Sequence, residues 1–137
     1  MISVAVWVLT GCGVALVLIG VFFLVVRPPL LPEDARYMGS TVEDLAVLLP
    51  GLSRWLRRVF WVMGGYIIAT GVLVLYVTRT GFSDGGPGSL AVLAIAGLTS
   101  LGWMTAVNFV IRSDFRWVLA GLACMWAVGL LVAAAAR

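Results

Sequence analysis

Four long apolar runs fill most of this chain and limit the folds open to it. About 20 residues of apolar helix, rising about 1.5 Å each, cross the hydrocarbon core of a bilayer. All six acidic residues lie outside the four runs. We therefore expect one all-α domain over residues 1–137, a polytopic membrane protein folded as a four-helix transmembrane bundle. The predicted spans are residues 3–26, 59–78, 90–111 and 118–136.

The composition agrees with this interpretation. Hydrophobic residues make up 63% of the chain and charged residues 11%, whereas a soluble domain is about 25% charged. The first run has no basic residues before it and no small-residue cleavage site after it, so it does not fit a secretory signal peptide. We expect it to be a retained helix.

The basic residues predict the orientation. All nine are arginine, and only Arg79 and Arg137 belong to the end of the bundle that carries the chain termini. Basic residues in short connections stay cytoplasmic, so we expect connection 27–58 inside and both termini periplasmic. The arginine-only usage suggests a bacterium, and hence its cytoplasmic (inner) membrane. The seven arginines at the predicted cytoplasmic end are Arg27, Arg36, Arg54, Arg57, Arg58, Arg112 and Arg116.

Missing residue types exclude several kinds of chemistry. With no lysine and no histidine, the chain has no Schiff-base lysine, no histidine ligand for haem or metal, and no histidine base. Cys12 and Cys124 lack a CxxC spacing, so they are expected to be small apolar fillers. Whether they meet is left open. We expect no cofactor, no metal and no nucleic-acid partner.

The connection between the first two spans contains several local signals. Its prolines predict an extended exit from the first span. Ser40 and Glu43 have the spacing of a capping box, which predicts a short interfacial helix over residues 41–49 that ends before Pro50. An amphipathic helix then leads into the second span. Its apolar face includes Trp55, and its opposite face holds Arg54, Arg57 and Arg58. This tryptophan and the three arginines either bind anionic lipid or only anchor the topology.

The third span has one polar stripe. Thr105, Asn108 and Arg112 recur at helical spacing, and a lipid-facing asparagine is costly. One interpretation is a polar vestibule open to the cytoplasm, in which this stripe orients a ligand. The alternative is an interhelical hydrogen bond with no binding role.

Small residues recur along the first two spans. In lipid, helices associate through close backbone approach at such positions. We therefore expect packing seams at Gly13, Gly20, Gly64 and Gly71, and at Ala120 and Cys124 of the fourth span. A glycine-lined pore is the less favoured alternative.

Three functional classes are compatible with these patterns. The first is a non-catalytic membrane protein that binds lipids, another copy of itself or another membrane protein through an arginine-rich rim. The second is a small transporter or channel that acts as a homo-oligomer. The third is an enzyme on a lipid-like substrate, whose candidate acids and bases are all interfacial: Glu33, Asp34, Tyr37 and Asp114. The rim residues of the first class are Arg54, Trp55, Arg57, Arg58, Arg112 and Arg116.

Overall fold

The computed structural model describes residues 2–81 and 88–136, and all regular secondary structure within them is helical. In chain order the elements are α1 (Ile2–Val25), α2 (Pro32–Tyr37), α3 (Val42–Leu48), α4 (Leu52–Gly81), α5 (Ser89–Gly97), a π-helical turn (Leu98–Gly102), α6 (Trp103–Val110) and α7 (Arg116–Ala135).

Four of these stretches are long and apolar enough to cross a membrane: α1, α4, the stretch from α5 through α6, and α7. The all-α class and the four long helices are thus confirmed. The second span begins at Leu52, because the amphipathic lead-in and the apolar run form one helix of 30 residues. We call the end of the bundle formed by residues 26–58 and 111–116 the arginine-rich end.

The connection between α1 and α4 differs from the sequence prediction in two places. The segment expected to be extended contains α2, because Pro32 suits a first helical turn and the Asp34 carboxylate accepts a 3.1 Å hydrogen bond from the Leu31 amide. The cap of α3 is Thr41, whose hydroxyl accepts from the Asp44 amide at 3.1 Å. The predicted N-cap, Ser40, was therefore wrong by one residue.

The short helices pack on each other and on the start of α4. Leu30, Ala35 and Leu45 form a small buried cluster, against which Leu56 of α4 packs. The last residues of α3 remain exposed on the opposite side. That α3 lies at a membrane interface stays a prediction.

The main core lies around α1, which packs against both α4 and α7. Its buried side chains come from all four long helices and include Leu9, Leu16, Val74 and Trp126. Cys12 is buried in this core whereas Cys124 is exposed, and both thiols are free.

Glycines hold α1 and α4 together at backbone contact. A Cβ on Gly20 would lie 2.7 Å from the Gly64 carbonyl oxygen, and one on Gly64 would lie 2.8 Å from that of Gly20. A Cβ on Gly71 would lie 2.9 Å from the Gly13 carbonyl oxygen. Because side chains do not fit in these spaces, the predicted seam between the first two spans is confirmed.

The third span is interrupted by the π turn at Leu98–Gly102. A π turn takes up an extra residue, which rotates the following helix by about 100° relative to an unbroken α-helix. The Trp126 indole packs against Gly97 and donates a 3.2 Å hydrogen bond to the Leu93 carbonyl. α7 therefore holds the third span just where its register changes.

Candidate ligand cavity

A cavity of about 850 Å³ lies between α1, α4 and the stretch from the π turn through α6. It exists because α4 packs against α5 but makes little contact with α6. Its walls are mainly apolar and include Phe22, Ile67 and Met104. Small-molecule sites are typically cavities of about 300–1,000 Å³ with mostly apolar walls and a few polar groups. This cavity matches them in volume, in its apolar walls and in its few polar groups.

The cavity occupies only the half of the bundle next to the arginine-rich end. Its lining runs from Thr70 and Thr99, near the middle of the bundle, to Arg27 and Ser113. Tyr66 of α4 and Trp103 of α6 line it and are also largely exposed. The cavity is thus a pocket that opens sideways between α4 and α6.

Arg27 supplies the positive charge at the polar end. Its guanidinium lies 3.3 Å from the Asp34 carboxylate and 3.6 Å from the centroid of the Phe60 ring. Burial lowers the pKa of Arg27 from its usual value, while the neighbouring Asp34 and Glu33 carboxylates raise it. The Asp34 carboxylate and the face of the Phe60 ring both favour the charged form of the guanidinium.

Glu33 supplies a buried carboxylate at the same end. Only 6% of the residue is exposed, and its Oε1 accepts a 2.7 Å hydrogen bond from the Ser113 hydroxyl. Ser113 lies in the connection between α6 and α7, and its own oxygen accepts a 3.2 Å hydrogen bond from the Phe115 amide. Two connections far apart in sequence therefore close the cavity together.

The residues of the predicted vestibule are not brought together. Asn108 lines the cavity, but Thr105 and Arg112 do not. The π turn precedes all three and changes the register of the helix that carries Thr105 and Asn108. Arg112 lies beyond the end of α6, in a left-handed conformation with φ of 54°. The Asn108 amide donates to the Met104 carbonyl of its own helix at 2.8 Å, not to another helix.

The predicted rim residues lie outside the cavity lining. Arg54, Trp55, Arg57 and Arg58 project from the first turns of α4 and are exposed. Arg112 is exposed as well, whereas Arg116 is half-buried and donates a 3.2 Å hydrogen bond to the Ser113 carbonyl. These side chains lie at the arginine-rich end but do not contribute to the walls of the cavity.

Sequence reasoning missed the parts played by Arg27, Glu33 and Ser113. Glu33 was considered only as an interfacial acid, because it lies outside the apolar runs. The available signal was Pro32 followed by two acidic residues, which is typical of a helix start. Comparisons with known protein families, with curated proteins and with solved structures find no match to this chain.

Proposed function

We propose that this protein is a non-catalytic integral membrane protein that binds a lipid in the cavity between α1, α4 and α6. The observation that carries the proposal is the cavity itself, which has apolar walls and charged groups at one end. A lipid has the same division between an acyl chain and a headgroup. Its chain would lie along Phe22, Ile67 and Met104, and its headgroup would meet Arg27 and Glu33.

The location of the cavity supports lipid binding better than conduction. The four long helices would cross a bacterial cytoplasmic membrane, with the arginine-rich end on the cytoplasmic side. The sideways opening between Tyr66 and Trp103 would then face lipid. The lining residues stop near the middle of the bundle at Thr70 and Thr99, so the cavity gives no continuous path for an ion.

The arginine-rich rim has a separate place in this proposal. Arg54, Arg57 and Arg58 are exposed at the same end, and each arginine close to an anionic leaflet contributes about 1 kcal/mol of attraction. The rim would hold the protein against the leaflet, whereas the cavity would hold a single lipid.

Native mass spectrometry in mild detergent tests the proposal. Wild-type protein should retain lipid, and Asn108→Trp should retain clearly less, because the larger indole would project into the cavity and take space from the ligand. Val110→Trp is the matched control, since Val110 lies on the same helix but is exposed and outside the lining. Equal retention by both variants, with circular dichroism showing both folded, would contradict lipid binding in this cavity.

A further inference from the structure

The Glu33 carboxylate forms no ion pair with the residues that the structure describes, and Arg27, whose pKa it helps to raise, is paired with Asp34. It is buried and lines the cavity, and one of its oxygens accepts the Ser113 hydrogen bond. Within residues 2–81 and 88–136, its other oxygen accepts no hydrogen bond and the carboxylate forms no ion pair. A buried carboxylate is costly unless it is paired and fully hydrogen-bonded. The second oxygen therefore has no donor among the described residues, and because it is not one of their fully buried unpaired atoms, it stays accessible at the cavity that Glu33 lines.

Arg27 does not meet this need. Its guanidinium is held by the Asp34 carboxylate on one side and the Phe60 ring on the other. Arg116 donates to the Ser113 carbonyl and lies outside the cavity lining. The charged side chains that line the cavity are thus one guanidinium and two carboxylates, a net charge of −1.

We infer that the cavity selects amphiphiles whose polar end is a protonated primary amine. This inference rests on the proposed lipid-binding function and specifies its ligand class. An ammonium group has three N–H donors and no acceptor, so it would supply both the charge and the donor that Glu33 lacks. The alkyl chain would follow the apolar walls. An ammonium headgroup on a phospholipid and a free alkylamine share this chemistry.

The first experiment compares dodecylamine, dodecan-1-ol and dodecanoate, which share one chain length, for binding to the full-length protein in mild detergent at pH 7. Hydrogen bonds to charged groups contribute enough that dodecylamine should bind at least about tenfold more tightly than the alcohol. Dodecanoate should bind most weakly of the three, because it brings a second negative charge to Glu33. If the wild-type protein prefers dodecanoate, or binds all three compounds equally, the inference is overturned.

Two variants test whether Glu33 is the residue that gives the preference for dodecylamine. Glu33→Gln keeps the shape of the side chain and an acceptor for Ser113 but removes the charge, so it should abolish the advantage of dodecylamine over dodecan-1-ol. Glu43→Gln is the matched control, because Glu43 is exposed on α3, and it should keep the advantage. If folded Glu33→Gln retains the full preference for the amine, Glu33 is not the selecting group and the inference fails.

Lipid retention in nanodiscs distinguishes a phospholipid headgroup from a free alkylamine as the source of the ammonium group. Phosphatidylethanolamine, phosphatidylcholine and phosphatidylglycerol with identical acyl chains should be retained in that order if the natural ligand is a lipid headgroup. If phosphatidylethanolamine has no advantage while dodecylamine does, the site takes a free amine. If Asn108→Trp changes no binding at all, the proposed function fails. If Asn108→Trp blocks binding but charge has no effect, only the ammonium inference fails.

Discussion

Ser113 and Glu33 are 80 residues apart in the sequence, and the Ser113 hydroxyl donates a 2.7 Å hydrogen bond to the Glu33 carboxylate. This bond joins the connection between α1 and α4 to the connection between α6 and α7. Both residues are buried, so the bond is shielded from water. One serine thus holds the arginine-rich end of the cavity closed.

Replacement of Ser113 by alanine should destabilise the fold. The variant removes the donor to Glu33 and the acceptor for the Phe115 amide, and leaving a buried polar group unpaired costs about 1–3 kcal/mol. Unfolding in mixed micelles with increasing sodium dodecyl sulfate measures the loss. Ser3→Ala, at an exposed position of α1, should change stability by less than about 0.5 kcal/mol. Similar results for the two variants would show that the bond contributes nothing.

Two adjacent glycines of α4 should respond in opposite ways to alanine. A Cβ on Gly64 would meet the Gly20 carbonyl oxygen at 2.8 Å, whereas one on Gly65 would have nothing within 4 Å. Gly64→Ala should therefore cost about 1–3 kcal/mol through overpacking. Gly65→Ala should be neutral or stabilise the helix by up to about 1 kcal/mol. The same micelle unfolding assay compares them, and a tolerated Gly64→Ala would refute backbone contact between α1 and α4.

The two polar residues of α6 should differ in role. The Thr105 hydroxyl is buried and has no hydrogen-bond partner among the residues that the structure describes, so Thr105→Val should raise stability by about 1 kcal/mol. It should leave lipid retention unchanged. Asn108 lines the cavity, so Asn108→Leu should reduce lipid retention because it removes a polar group from the wall. The variant loses only a hydrogen bond within its own helix, so its stability should change little. A large loss of stability in Asn108→Leu would instead indicate a contact between helices.

The arginine asymmetry predicts a topology that cysteine labelling can check. In a background without the two native cysteines, Gly88→Cys should react with a membrane-impermeant maleimide on intact cells, and Asp114→Cys only after lysis. Both positions are exposed, whereas Ser113 is 1% exposed and unsuitable for labelling. The reverse pattern would place the arginine-rich end and the cavity on the outer side of the membrane.

The four long apolar helices and the seam could be predicted because each depends on a local property. Bilayer thickness sets the length of an apolar run, and regularly spaced glycines such as Gly64 and Gly71 indicate close helix packing. The cavity depends on features that a linear pattern does not contain. The π turn changes the register of the third long helical stretch without a proline or a charge at that position, and α2 places Glu33 in a buried position beside the cavity.

The prediction of an arginine-rich rim was also limited, because a count of charges does not give the orientation of each side chain. Charge counting identified the end of the bundle at which Arg54 and Arg112 lie, and the cavity has its polar groups at that end. It did not distinguish arginines that project outward from Arg27, which turns inward onto Phe60. Only the path of the chain after α1 separates the two kinds.

The π turn also affects how insertions and deletions would alter the cavity during evolution. Loss of one codon within residues 98–102 would leave the third span long enough to cross a bilayer, yet it would turn α6 by about 100°. Asn108 would leave the cavity and a different set of side chains would replace it. A short insertion or deletion at Leu98–Gly102 would therefore change several residues of the cavity lining at once, whereas a substitution along the walls changes one.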